Sequence, residues 1–216
     1  MTDLMHFATF FAAALLLALT PGPGIFYVAA RTLAGGRAEG IASSFGTGVG
    51  GLVHVTAGAL GVSALVLASA ELFTALKLIG AAYLVWLGIR TIVTARHDRS
   101  SGLDGGLASP PVGPWRAFRE GVLVEALNPK TAAFFLAFVP QFVDVAAGSV
   151  ALQFVVLGIL SVTLSTAADV AVAFAAGRIR QGAAARPRLV SRLRQSSGWA
   201  MIALGVGLSL ARRPGH

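Results

Sequence analysis

Six apolar runs divide the chain: Phe7 to Ala30, Ile41 to Ala70, Leu72 to Ala95, Phe118 to Phe142, Ser149 to Gly177 and Ser197 to Ala211. Crossing the hydrocarbon core of a bilayer takes roughly 20 predominantly apolar residues. Five runs reach that length, and the last, with 15 residues, falls short of it. Inside the bilayer every backbone polar group must be satisfied within the protein, so only helices and closed barrels can span it. The runs lack the strict alternation of a membrane barrel. They predict an all-α integral membrane protein of six transmembrane helices.

Composition agrees. Charged residues make up 12% of the chain and hydrophobic ones 56%, with a mean hydropathy of +0.77. A soluble domain carries about 25% charged residues to hydrate its surface. The net charge of +8 does not point to nucleic acid, because the basic residues stand between apolar runs rather than in a binding stripe. The absence of cysteine excludes disulfides, thiolate metal sites and thiol catalysis. The four histidines, at positions 6, 54, 97 and 216, have no pairing at helical spacing, so no metal and no cofactor is expected. The first run lacks Lys or Arg ahead of it, so it reads as a retained span rather than a cleaved signal peptide.

Basic residues set the orientation. The connections after spans one, three and five carry 13 arginines (Arg31 and Arg37; Arg90, Arg96, Arg99, Arg116 and Arg119; Arg178, Arg180, Arg186, Arg188, Arg192 and Arg194). The opposite side carries Arg212 and Arg213, while Lys77 and Lys130 lie within runs. The positive-inside rule then puts the odd connections in the cytoplasm and both termini outside. The Gly-, Ser- and Pro-rich stretch 96–115 reads as a flexible cytoplasmic linker. It divides one transmembrane domain, 1–216, into three-helix halves, 1–95 and 116–216.

The halves carry a repeat. Ala18-Leu19-Thr20-Pro21 matches Ala126-Leu127-Asn128-Pro129 at an offset of 108 residues, and Phe10, Phe26 and Tyr27 fall on Phe118, Phe134 and Phe135. With three spans per half, the second half must run inverted. Paired interrupted helices in inverted repeats are the best sequence pointer to a transporter's binding site.

The first interruption, Thr20-Pro21-Gly22-Pro23-Gly24, removes two backbone donors and lowers the cost of leaving helical geometry. The second, Asn128-Pro129-Lys130, places a lysine near the bilayer centre, where a charge costs several kcal/mol unless paired or hydrated. Spans one and four are therefore expected to be broken. Thr20, Pro21, Gly22, Pro23, Asn128, Pro129 and Lys130 form the candidate substrate site, with the breaks facing each other. Free amides there would meet a carboxylate, and free carbonyls an ammonium. Lys77 lies close enough to the outer surface to snorkel. Three further ionisable residues lie within runs: Asp169, Glu125 and His54, the candidates for proton coupling. Asp169 ranks first because no basic residue lies within a turn of it, and Glu125 second. His54 reads more readily as a hydrogen-bonded packing residue. The spacing Gly46-x-Gly48-x-x-Gly51 follows no strand, so it reads as close helix packing rather than a phosphate loop.

These residues, taken in order, resemble the lysine exporter superfamily, nearest to its homoserine and threonine exporter branch. The resemblance rests on Thr20-Pro21-Gly22-Pro23 and the glycine-rich start of span two. It continues in Lys77-x-x-Gly80-Ala81-x-Tyr83-Leu84-x-Trp86-Leu87-Gly88, in Asn128-Pro129-Lys130, and in Phe134-Phe135 with Pro140-Gln141-Phe142. It implies export of amino acids or close derivatives across the bacterial cytoplasmic membrane, by proton antiport, in a homodimer. Two departures stand out: Gly24, where many members carry Asn or Asp, and Glu125, where members often carry Asn. The alternatives are a small-solute channel and an intramembrane enzyme. The latter lacks a catalytic constellation, since no run carries two acids one turn apart and His54 has no acidic partner at helical spacing.

Overall fold

The computed structural model describes residues 2–68 and 110–179 throughout, and separate positions between 74 and 93 and between 195 and 209. Lys77, most of the 96–115 linker and much of the third and sixth expected spans lie outside the described residues. Among the described residues all regular structure is helical. Helix α1 is Thr2–Leu19, α2 Pro23–Gly35, α3 Arg37–Ala68, α4 Pro114–Ala126, α5 Pro129–Ala133 and α6 Val150–Ile179. Helix α5 continues through a π-helical turn, Phe134–Phe138, and a 3-10 turn, Val139–Phe142.

Both predicted interruptions are present. Helices α1 and α2 meet at a bend of 43°, and so do α4 and the Pro129–Phe142 segment. Proline explains each bend. Lacking an N–H, Pro21 cannot bond the Leu17 carbonyl, nor Pro129 the Glu125 carbonyl, four residues earlier. Among the described residues α6 alone is long and apolar enough to cross a membrane unbroken, and each bent pair passes as one further span. Gly36, at φ 84°, terminates α2 in a conformation that L side chains rarely adopt, and α3 begins at the next residue.

Large apolar side chains stand exposed on the outside, and polar groups are buried beside the apolar core. Leu60 is 72% exposed and Leu152 63%, whereas Asp169 is 5% exposed and Ser43, Ser44, Thr47 and Asn128 are buried. Such a surface suits lipid, with polar groups turned toward protein or a cavity. Helix α3 lies at the centre, close to α4. A Cβ on Gly46 would meet the Phe118 carbonyl oxygen, and one on Gly50 would come within 2.5 Å of the Val122 carbonyl. This is the packing expected of the glycine string.

Aromatic rings close one end of the described bundle. Phe10 meets Phe142 edge-on at 5.2 Å, and Phe138 lies 5.1 Å from both Phe134 and Phe142. At the other end, Glu39 Oε1 accepts the backbone N–H groups of Val112 (2.8 Å) and Gly113 (2.7 Å), and Arg31 Nη1 donates to the Pro110 carbonyl at 3.3 Å. The chain entering α4 is thereby tied to α2 and α3.

Candidate functional site

The carbonyls released by the two prolines find partners from the opposite half of the sequence. Lys130 Nζ donates to the Leu17 carbonyl at 3.3 Å and to the Thr20 carbonyl at 3.0 Å. It caps the end of α1, where unpaired carbonyls and the helix dipole both favour a cation. Thr20 Oγ1 donates to Leu16 O at 2.6 Å. At the second break, His54 Nε2 lies 2.9 Å from the Glu125 carbonyl, and its ring stacks on Phe135 at 6.1 Å. The bond requires Nε2 to carry the proton. At the repeat offset, Leu17 corresponds to Glu125 and Gly22 to Lys130. Gly22 leaves room for that lysine, since a Cβ there would lie 3.1 Å from Lys130 Cε and Nζ.

The carbonyls expected to stand free for a substrate ammonium already accept protein donors: Leu17 O the Thr20 N–H (3.1 Å) and Lys130, Glu125 O the Asn128 N–H (3.0 Å) and His54, and Thr20 O Lys130. His54→Leu should remove one donor from the Glu125 carbonyl, which keeps the Asn128 N–H at 3.0 Å, destabilising the protein by about 0.5–1.5 kcal/mol. His54→Gln, which keeps an N–H, should recover part of that. Thermal unfolding in detergent compares the two, and equal losses would show that the bond contributes nothing.

Between the breaks, α3 and α6 lies a cavity of ≈ 40 Å³, enough for about three waters. Leu17, Ala18, Ile25, Phe135 and Val162 supply its apolar wall. Its charged residues are Lys130, Glu125 and Asp169. Of the sequence-predicted site residues, Asn128, Lys130, Glu125 and Asp169 reach the cavity; Thr20, Pro21, Gly22, Pro23, Pro129 and His54 are not among its walls. The first four shape the break, and Lys130 touches Thr20 directly.

The two carboxylates have different settings. Glu125 Oε1 accepts from Thr131 Oγ1 at 2.6 Å, and its Oε2 from Asn128 Nδ2 at 2.9 Å. Asp169 Oδ2 accepts from Thr47 Oγ1 at 2.7 Å. The ion pair found among the described residues, Arg116 with Glu120 at 2.7 Å, lies elsewhere. The two helix starts at the breaks also differ. Asn128 Oδ1 accepts the Lys130 N–H at 3.0 Å and so caps α5, whereas no side chain caps the start of α2. Gly24 and Ile25, in the first turn of α2, wall the cavity.

Thr47, Thr131, Ser161, Ser165 and Thr166 also reach the cavity, and the sequence reading passed over all of them. A signal was available: Ser161, Ser165 and Asp169 recur every four residues, one polar stripe along an otherwise apolar helix.

The profile of the LysE type translocator family matches residues 15–212. The chain belongs to this family. As a LysE type translocator it is a membrane transport protein and not an enzyme. It is 31% identical to an uncharacterized membrane protein of Vibrio cholerae, over 97% of this chain and 99% of the relative. A leucine efflux protein of an Enterobacter species is 28% identical over 71% of each chain, and one from Klebsiella pneumoniae 26% identical over 72% of this chain and 71% of the relative. No solved structure matches the translocator.

Proposed function

We propose that this translocator is a secondary exporter of amino acids or close derivatives, driven by proton antiport across the bacterial cytoplasmic membrane. The cavity carries the reading. It joins a helix start uncapped by any side chain, a buried ammonium, two carboxylates and an apolar wall in one space. The first-turn amides of a helix lack intrahelical partners and attract anions. With Lys130 beside them, they suit a substrate carboxylate. Lys130 has three N–H donors, of which two meet the Leu17 and Thr20 carbonyls and one remains. The relatives named leucine efflux proteins support the same reading.

A cavity that holds about three waters must widen to admit an amino acid. Alternating access provides the widening if the two halves rock about the breaks. We assign the remaining architecture accordingly: six spans in two inverted three-helix repeats, 1–95 and 116–216, both termini outside, and a homodimer. The coupling proton goes to Asp169, with Glu125 and His54 behind it.

Efflux of a panel of labelled amino acids from proteoliposomes, with and without an imposed pH gradient, tests the function. Uphill efflux that collapses with the gradient is expected. Downhill flux indifferent to the gradient would mean a channel. For topology, a cysteine at Thr2 should react with an impermeant reagent applied outside, and one at Ser101 should not. The reverse pattern would overturn the assignment.

A further inference from the structure

We infer that Glu125 is the fixed counter-charge for the substrate's ammonium group, seated in space that Gly24 leaves open. This rests on the exporter reading and adds to it the group that selects a free amine.

The occupied carbonyls start the argument. Leu17 O accepts both the Thr20 N–H and Lys130, and Glu125 O both the Asn128 N–H and His54, so an incoming ammonium finds these two backbone acceptors filled, and Thr20 O shared with Lys130. Glu125 and Asp169 remain as the acids among the described cavity residues. Glu125 has the better position. Each of its carboxylate oxygens receives one bond from a neutral donor on its own segment, Thr131 or Asn128. A carboxylate offers about four acceptor sites, so capacity remains on both oxygens. No cation lies within ion-pairing distance of it among the described residues.

Gly24 makes the placement specific. A Cβ built there would stand 2.8 Å from Glu125 Oε2 and 3.7 Å from Thr47 Cγ2. Any side chain at position 24 would therefore displace the carboxylate. Glu125, from the second half, reaches across the cavity and rests against the first turn of α2 in the first half. That turn is where the substrate carboxylate is placed above, so the acceptor and donor groups lie side by side. An α-amino acid, with its two charges on groups that share one carbon, matches this spacing. An N-acylated amino acid or a 2-oxo acid lacks the cation and would leave Glu125 unpaired.

The probes are the best-exported neutral amino acid of the panel, its N-acetyl derivative and its 2-oxo acid, in counterflow with reconstituted protein. The parent should prefer the free amino acid at least tenfold. Glu125→Gln should lower that amino acid's apparent affinity tenfold or more and bring the preference toward one. A merely structural role for Glu125 would lower all rates together and leave the preference intact. Gly24→Asp should itself abolish exchange, because it forces a second acid into the same space. Adding Glu125→Ala to Gly24→Asp should restore exchange to at least a tenth of the parental rate, with the carboxylate now supplied from α2.

Monodisperse elution in detergent checks folding for each variant. Preference retained in a folded Glu125→Gln protein, or a folded double variant no better than Gly24→Asp alone, overturns the inference. If the parent exports no amino acid, the exporter reading fails, and this inference fails with it.

Discussion

Lys130→Met is expected to abolish export while leaving a folded, membrane-inserted protein. Two effects compete. The ammonium bonds the Leu17 and Thr20 carbonyls; Leu17 O keeps the Thr20 N–H at 3.1 Å, while a buried Thr20 acceptor left without a donor costs about 1–3 kcal/mol. Against that, keeping an ammonium out of water carries a desolvation penalty of several kcal/mol, which methionine does not incur. Water entering the adjoining cavity can also reach the exposed carbonyls. The terms nearly cancel, so unfolding should shift by no more than about 2 kcal/mol either way. Transport has no such compensation. Removing one partner of a buried charged pair costs about 2–5 kcal/mol in binding, and each 1.4 kcal/mol is a factor of ten. Substrate affinity should therefore fall by about 30- to 3,000-fold. Binding measured on purified protein, beside a thermal melt, separates the two quantities. Parental affinity in a folded Lys130→Met protein would show that the lysine serves only to cap α1.

The breaks were legible in the sequence because proline acts locally. Pro21 and Pro129 each remove one donor, and the carbonyl so orphaned is always four residues back. Which group would take that carbonyl was not legible. The pairings Lys130 with Leu17 and His54 with Glu125 join residues 113 and 71 positions apart, and only tertiary packing brings them together. The glycines of α3 were read correctly as packing positions, since small residues in an apolar run have few other uses. The small hydroxyls were missed for the opposite reason. Thr47 and Ser161 look like ordinary tolerated residues until the face they share with a buried acid is known. Gly24 read only as a departure from the Asn or Asp that many members carry. In the folded chain it is the space into which Glu125 fits.

Asp169→Asn should separate exchange from pumping. Asp169 is 5% exposed, lies on the cavity wall, and has Thr47 Oγ1 on its Oδ2. An isolated ionised carboxylate is expensive away from water, and it becomes tolerable when a cation or a proton joins it. Under antiport the substrate-free carrier returns only with Asp169 protonated, while the substrate ammonium is held by Glu125. Asparagine keeps the shape and can still accept from Thr47, but it stays neutral. It mimics the proton-loaded acid permanently. Counterflow exchange of labelled for unlabelled substrate should survive within a few fold, because exchange needs no net proton movement. Uphill efflux against a concentration gradient should disappear, and the rate should lose its dependence on pH. Glu125→Gln is the companion measurement, because a lost ammonium ligand impairs exchange as well as pumping. If a correctly inserted Asp169→Asn protein still pumps uphill with the parental pH profile, the proton travels elsewhere, and Glu125 and His54 become the groups to replace next.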